Sequence, residues 1–136
     1  MRKQNLQTLN KFFSALAEPN RLRILAALSL RNMAVCEIRE LLKLSFSTVS
    51  KHLTILKEAG LIDSEKDGKW VNYRLGQNLP PEIEKIKKEA ISYLIHDEKI
   101  KEDLKLARCL DRNKICSVSV PTSKPKIKII NRRNKS

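Results

Sequence analysis

The side chains in this sequence best suited to chemistry are three thiols, Cys36, Cys109 and Cys116, and two imidazoles, His52 and His96. Three thiolates meeting at one point would make a soft, thiophilic centre. Cys36 sits where a helix is expected to begin, and the helix dipole there favours a thiolate. Cys109 and Cys116 are seven positions apart, so on one continuous helix they would stand about 10 Å from each other, at ~1.5 Å per residue. Sharing a ligand therefore requires a break between them, which Asp111, Arg112 and Asn113 permit but do not compel, or a site shared with a second subunit. The same distance blocks a disulfide unless the chain bends. Three readings stay open: a buried filler with two incidental thiols, a thiol sensor, or a redox switch. Catalysis is not expected, because no nucleophile, base and orienting group cluster, and Cys36 with His52 or His96 is a coincidence of residue types.

The chain of 136 residues, 41% hydrophobic and 32% charged, suits one core with extensions. Its 28 Lys and Arg against 15 Asp and Glu leave a net charge of +13. That excess favours a polyanionic partner, since each neutralised phosphate releases condensed counterions. No apolar run approaches the roughly 20 residues of a spanning helix, and Met1 to Asn20 carries no uninterrupted apolar signal segment. A cytoplasmic protein with no membrane partner is the expectation, with thiols kept reduced by the cytosol.

Helical periodicity positions these groups. Leu6, Leu9, Phe12, Phe13 and Leu16 mark a first amphipathic helix ending near Glu18 and Pro19. Pro19 suits the first turn of a second helix whose apolar face is Leu22, Leu25, Ala26 and Leu28. A short third helix spans Val35 to Leu42, followed by a tight turn at Lys43, Leu44 and Ser45. The segment from Ser45 to Gly60 opens on hydroxyl caps, places Val49, Leu53 and Leu56 on one face, and closes on a glycine stop. Its other face carries Thr48, Ser50, Lys51 and His52 and no acid. Short helix, turn and polar-faced helix form a helix-turn-helix.

Two strand-like runs follow, Leu61 to Lys66 and Lys69 to Leu75, joined around Asp67-Gly68. A hairpin directly behind a reading helix is a wing, with Lys66 and Lys69 at its tip and Trp70, Val71 and Tyr73 anchoring its return strand. Pro80 and Pro81 precede one long helix, from about Glu82 to Leu110, striped with Ile83, Ile86, Ala90, Leu94, Ile95 and Leu104. The expected fold is mainly α with a small β-hairpin, a winged helix-turn-helix dimerising through its first and last helices. Residues 1–111 form that domain. Residues 112–136 are expected to be a basic, disordered tail, acid-free from Pro121 to Ser136.

Four stretches carry a resemblance to a known family: Ala15 to Leu25 (ALAEPNRLRIL), Val35 to Ile38 (VCEI), Ser47 to Leu53 (STVSKHL) and Leu56 to Ile62 (LKEAGLI). In this order, and with the wing sequence Gly68 to Leu75 (GKWVNYRL), the chain resembles the ArsR/SmtB family of arsenic- and metal-responsive bacterial repressors over about Leu9 to Leu75. The resemblance implies a homodimer on double-stranded operator DNA that lets go when a metal or metalloid binds. Ser45, Ser47, Thr48, Ser50, Lys51 and His52 would then face the major groove or cap the helix, and Lys66 and Lys69 would grip the backbone. Arg21 and Arg23 are expected to pair with nearby acids, and Trp70 to pack within the wing.

The family's Cys-Val-Cys thiol site corresponds here to Ala34-Val35-Cys36, so one ligand is missing. Its paired zinc site at the last helix finds only His96. Cys36, Cys109 and Cys116 remain as a candidate trigonal site for As(III) or Sb(III) as inducer, with no cofactor required for DNA binding. A redox-sensing or inducer-independent regulator is the alternative reading. A non-specific basic nucleic-acid-binding protein is the more distant one.

Overall fold

The computed structural model describes residues 5–115, which fold as seven helices and three strands. In chain order these are α1 (Leu6–Leu16), α2 (Pro19–Leu30), β1 (Met33–Ala34), α3 (Val35–Leu42), α4 (Phe46–Glu58), β2 (Ile62–Asp67), β3 (Trp70–Leu75), α5 (Pro81–Leu94), α6 (Glu98–Cys109) and α7 (Arg112–Ile115).

Local chemistry sets most of the boundaries. Asn5, Ser45 and Asp97 cap α1, α4 and α6 by accepting from the backbone N–H three residues on. The Glu18 carboxylate accepts from the N–H groups of Asn20 and Arg21, and Pro19 opens α2, where a missing donor costs nothing. Helix α4 ends in a Schellman motif: the Gly60 N–H reaches the Lys57 carbonyl and the Leu61 N–H reaches that of Leu56. Gly60 holds φ at 79°, a conformation that other residues adopt only at a cost.

Helix α2 lies at the centre and packs on α1, α4, α5, α6 and β3. The expectation of one apolar face is accordingly too narrow, because Ile24 to Leu28 are buried all round. Phe12, Ile38, Leu41, Val49, Leu53, Leu56 and Leu61 close the core around it. Burial of each such large side chain contributes roughly 1.5–3 kcal/mol.

Helices α3 and α4 with the β2–β3 hairpin form a winged helix-turn-helix. Two features depart from the sequence reading. Met33 and Ala34 form an extra strand opposite Tyr73 and Asn72, giving a three-stranded antiparallel sheet in the order β1-β3-β2. Asp67 pairs with Trp70, so the turn residues are Gly68 and Lys69, with Gly68 at a φ of 63°.

The single long C-terminal helix is also overturned. It breaks after Leu94, and Asp97 starts α6 anew. The break lets α6 fold back on α2 and α3, where Asp103 meets Arg23 in a two-pronged ion pair at 2.8 and 3.0 Å. At the far end Arg31 donates to the carbonyls of Ala107 and Leu110 while pairing with buried Glu37, so one guanidinium caps α6 and ties it to α3. Leu110 is extended, and α7 follows as one turn. Residues 112–115, assigned to the tail by composition, are therefore helical; the basic stretch from Pro121 to Ser136 lies outside the described residues.

Candidate nucleic-acid interface

Helix α4 presents Phe46, Ser47, Thr48, Lys51, Thr54 and Ile55 to solvent, one face free of acids until Glu58. Burial of Val49, Leu53 and Leu56 on the opposite side fixes this orientation. The preceding turn passes through Lys43, held at a φ of 59° and paired with Glu40. At the helix start three hydroxyls bond to one another. Ser45 Oγ accepts from the Thr48 N–H, lies 2.9 Å from Thr48 Oγ1 and 3.3 Å from Ser47 Oγ. Ser45 is thus a cap as well as an exposed hydroxyl, and Ser50 is half-buried.

His52 does not lie on the open face. Its ring is 12% exposed and turned back toward α2, where Nδ1 is 3.2 Å from an Arg21 nitrogen and Nε2 is 3.9 Å from the Glu18 carboxylate. Arg21 has only donors, so Nδ1 accepts and the ring proton belongs on Nε2, facing Glu18. The rest of the Arg21 guanidinium serves the carbonyls of Ala15 and Ser14. Arg23 does pair with an acid, Asp103; the side chain of Arg21 is instead held by carbonyls and an imidazole.

The periodicity singled out neither Phe46 nor Ile55. Phe46 is 55% exposed at the leading end of α4, and Ile55 is exposed on the same helix. The signal was available, because both fall outside the Val49, Leu53, Leu56 stripe; apolar type concealed it.

At the wing tip Lys66 and Lys69 are exposed, and both neighbouring acids are already paired. Arg74 donates to Glu65 across the strands. Arg112, from α7, donates to Asp67 at 2.8 Å and to Asn72 at 2.7 Å, and its guanidinium lies 4.1 Å from the centre of the Trp70 ring. The hydrogen bond and charge of Arg112 hold the Asp67 carboxyl below the usual carboxylate range. Lys69 also approaches Trp70, at 5.3 Å. Burial pushes the Tyr73 phenol, at the wing's root, upward.

The two described thiols lie on different elements. Cys36 is half-buried in the first turn of α3 and is disulfide-bonded, Cys109 is free and exposed at the end of α6, and Cys116 lies outside the described residues. Among the described residues no group of three His, Cys, Asp or Glu side chains is placed to hold a metal ion. Helix α6 ends at its cap Leu110, whereas Arg112 and Asn113, expected as part of a break, begin α7. His96 is exposed between α5 and α6. No helix among the described residues is long and apolar enough to cross a membrane.

Comparison with known proteins accords with this arrangement. Residues 18–64 match the model of the bacterial regulatory protein, arsR family. The chain is similar to the arsenical resistance operon repressor of Escherichia coli K12, 41% identical over 81 residues that make up 59% of this chain and 69% of the repressor. It is 42% identical over 67 residues to the cadmium resistance regulatory protein CadC of Listeria innocua, covering 48% of this chain and 56% of CadC. Among solved structures it is similar to the homodimeric winged helix-turn-helix DNA-binding domain Mb0332 of Mycobacterium bovis, with a TM-score of 0.54 at 27% identity over 72% of this chain and 97% of that one.

Proposed function

The chain belongs to the arsR family of bacterial regulatory proteins, and from that premise we propose that it is a homodimeric, DNA-binding transcriptional repressor released from its operator by a thiophilic metal or metalloid. One observation carries the DNA assignment. The solvent face of α4 and the wing tip together offer Lys51, Lys66, Lys69 and the hydroxyls of Ser47 and Thr48, while the acids nearest the tip, Glu65 and Asp67, are neutralised by arginines. Such a surface presents donors and positive charge to a groove and its flanking phosphates. Ser47, Thr48 and Lys51 read or position on the major groove, with Ser50 at the edge of that face. Phe46 is placed to meet thymine methyl groups. His52 supports α4 from behind through Arg21 and Glu18. Lys66 and Lys69 hold the adjacent backbone, and the basic residues 121–136 add sequence-independent attraction.

Dimerisation is supported by apolar side chains left exposed among the described residues. Leu6 (82% exposed), Leu9 and Phe13 on α1, and Ile86 and Tyr93 (83% exposed) on α5, lie on two helices that both pack against α2. A twofold mate supplies their cover, as the homodimeric Mb0332 domain suggests.

For the inducer, the names of the arsenical and cadmium resistance relatives favour a soft ion. Cys36, Cys109 and Cys116 are the ligands available for As(III) or Sb(III), with Cys36 in its reduced form. The disulfide at Cys36 favours a second reading, in which thiol oxidation itself modulates DNA binding. The test is to select a duplex from a random-sequence library, then titrate the complex with arsenite, antimonite, cadmium, zinc and peroxide. Cys36→Ser is expected to abolish release by arsenite and spare DNA binding. Equal affinity for selected and random duplexes would defeat the repressor assignment.

A further inference from the structure

We propose that Arg112 is a wing-positioning residue, through which the helical turn after α6 sets the orientation of the hairpin tip and thereby its grip on DNA. The inference rests on the DNA-binding reading above and concerns how that site is held.

Within the sheet the tip has only its own two strands. Strand β1 reaches β3 only at Asn72 and Tyr73, so the hairpin beyond them, from Lys66 to Val71, is a two-stranded ribbon. A ribbon of that kind is marginal in water without further packing. Arg112 supplies packing at three points: a hydrogen bond to Asp67 on one strand, another to Asn72 on the other, and a guanidinium stacked on Trp70 beside the turn. A lone surface ion pair contributes little, but a planar fork on two acceptors with a ring beneath it fixes a direction.

The base on which Arg112 stands is tied into the core. Asp103, 2% exposed, pins α6 to α2 through Arg23. Arg31 then joins the last carbonyls of α6 to Glu37 of α3, the helix directly before the α3–α4 turn. The wing is therefore referenced, through α7 and α6, to the same α2–α3 frame that carries α4. A displacement of the α6–α7 joint would reach the wing through Arg112 without passing through α4.

Trp70 is the sole tryptophan, so its fluorescence reports on the clamp directly. The probe is the duplex selected by the full-length wild-type protein, with binding measured over a range of salt. Arg112→Ala is expected to alter Trp70 emission and weaken binding about tenfold, the scale of coupling among residues sharing one network. Its salt dependence should stay parallel to wild type. A drop in slope of about 1 would show a direct phosphate contact instead and overturn the proposal. Arg112→Lys, which keeps the charge and cannot form the fork, should bind at intermediate strength, and it decides the matter if the alanine variant does not fold. In Arg112→Ala/Asp67→Asn the loss should persist. Recovery of wild-type affinity would mean that Arg112 acts only by cancelling the Asp67 charge, and the positioning role falls. Unchanged affinity in Arg112→Ala also refutes it, whereas a wild-type protein that selects no duplex fails the DNA reading itself and takes this proposal with it.

Discussion

Asp103 is the residue whose loss should do the most damage per atom removed. Its carboxylate is nearly fully buried on α6, and both oxygens accept from Arg23 of α2. Lys99 stands 3.9 Å away on an exposed stem and contributes little. Asp103→Ala leaves the Arg23 guanidinium, itself 16% exposed, with Asn20 Oδ1 and the Leu41 carbonyl as acceptors. Removing one partner of a buried pair costs about 3–5 kcal/mol. The two surviving acceptors and partial exposure of Arg23 place this case near the lower bound, roughly 3 kcal/mol. Asp103→Asn keeps the shape and one acceptor, and the loss there is about 1–2 kcal/mol. For a domain of this size each kcal/mol lowers Tm by about 4 °C or more. The alanine variant should therefore melt roughly 12 °C early and the asparagine variant about half as far. Far-UV circular dichroism at one fixed protein concentration measures this, since the proposed dimerisation would make Tm concentration-dependent. A shift below about 3 °C in Asp103→Ala, or equal damage from Asn and Ala, would refute the argument that this pair anchors α6.

The other predictions concern the interface. Lys51→Ala should weaken binding to the selected duplex by about 1–3 kcal/mol and leave the melting curve in place, as checked by fluorescence anisotropy beside circular dichroism. His52→Ala should instead lower thermal stability by about 1 kcal/mol through loss of the Arg21 bond, with weaker DNA binding as a consequence; lost binding with an unchanged melt would make the ring a direct reader. Tyr93→Ser should shift sedimentation equilibrium toward monomer without unfolding the chain, and an unaltered dimer would clear α5 of the contact. Arg112 depresses Asp67, so the pairing's contribution is present above the usual carboxylate range and fades as pH falls through the lower folded value. NMR titration of the Asp67 carboxyl should therefore show its midpoint rising in Arg112→Ala, and an unmoved midpoint would contradict the clamp.

Much of this molecule is written locally. Each helix up to α4 was legible from spacing within about four residues and from caps such as Ser45 and Gly60, because helical periodicity and terminal hydrogen bonds are satisfied by near neighbours. The hairpin was equally plain from Asp67-Gly68, and the basic face of α4 from the absence of acids. Beyond that range the signal weakens. Strand β1 has two residues and exists only because β3 lies beside it. The break between α5 and α6 is a place where an apolar stripe continues in sequence, yet packing on α2 decides where each half goes. His52 looked like a groove reader because its residue type and helix position allowed it, while Arg21, 31 residues away, turned it inward.

Amino-acid order alone thus determined the first four helices, the turn between α3 and α4, the wing and the charge that suits them to a polyanion, since each depends on chemistry within a few positions. Tertiary packing decided which of those residues face outward, where the last helix divides, and that Arg112 spans 45 positions to hold Asp67. Long-range ion pairs and hydrogen bonds leave no periodicity to read, because their partners are chosen by the folded path of the chain.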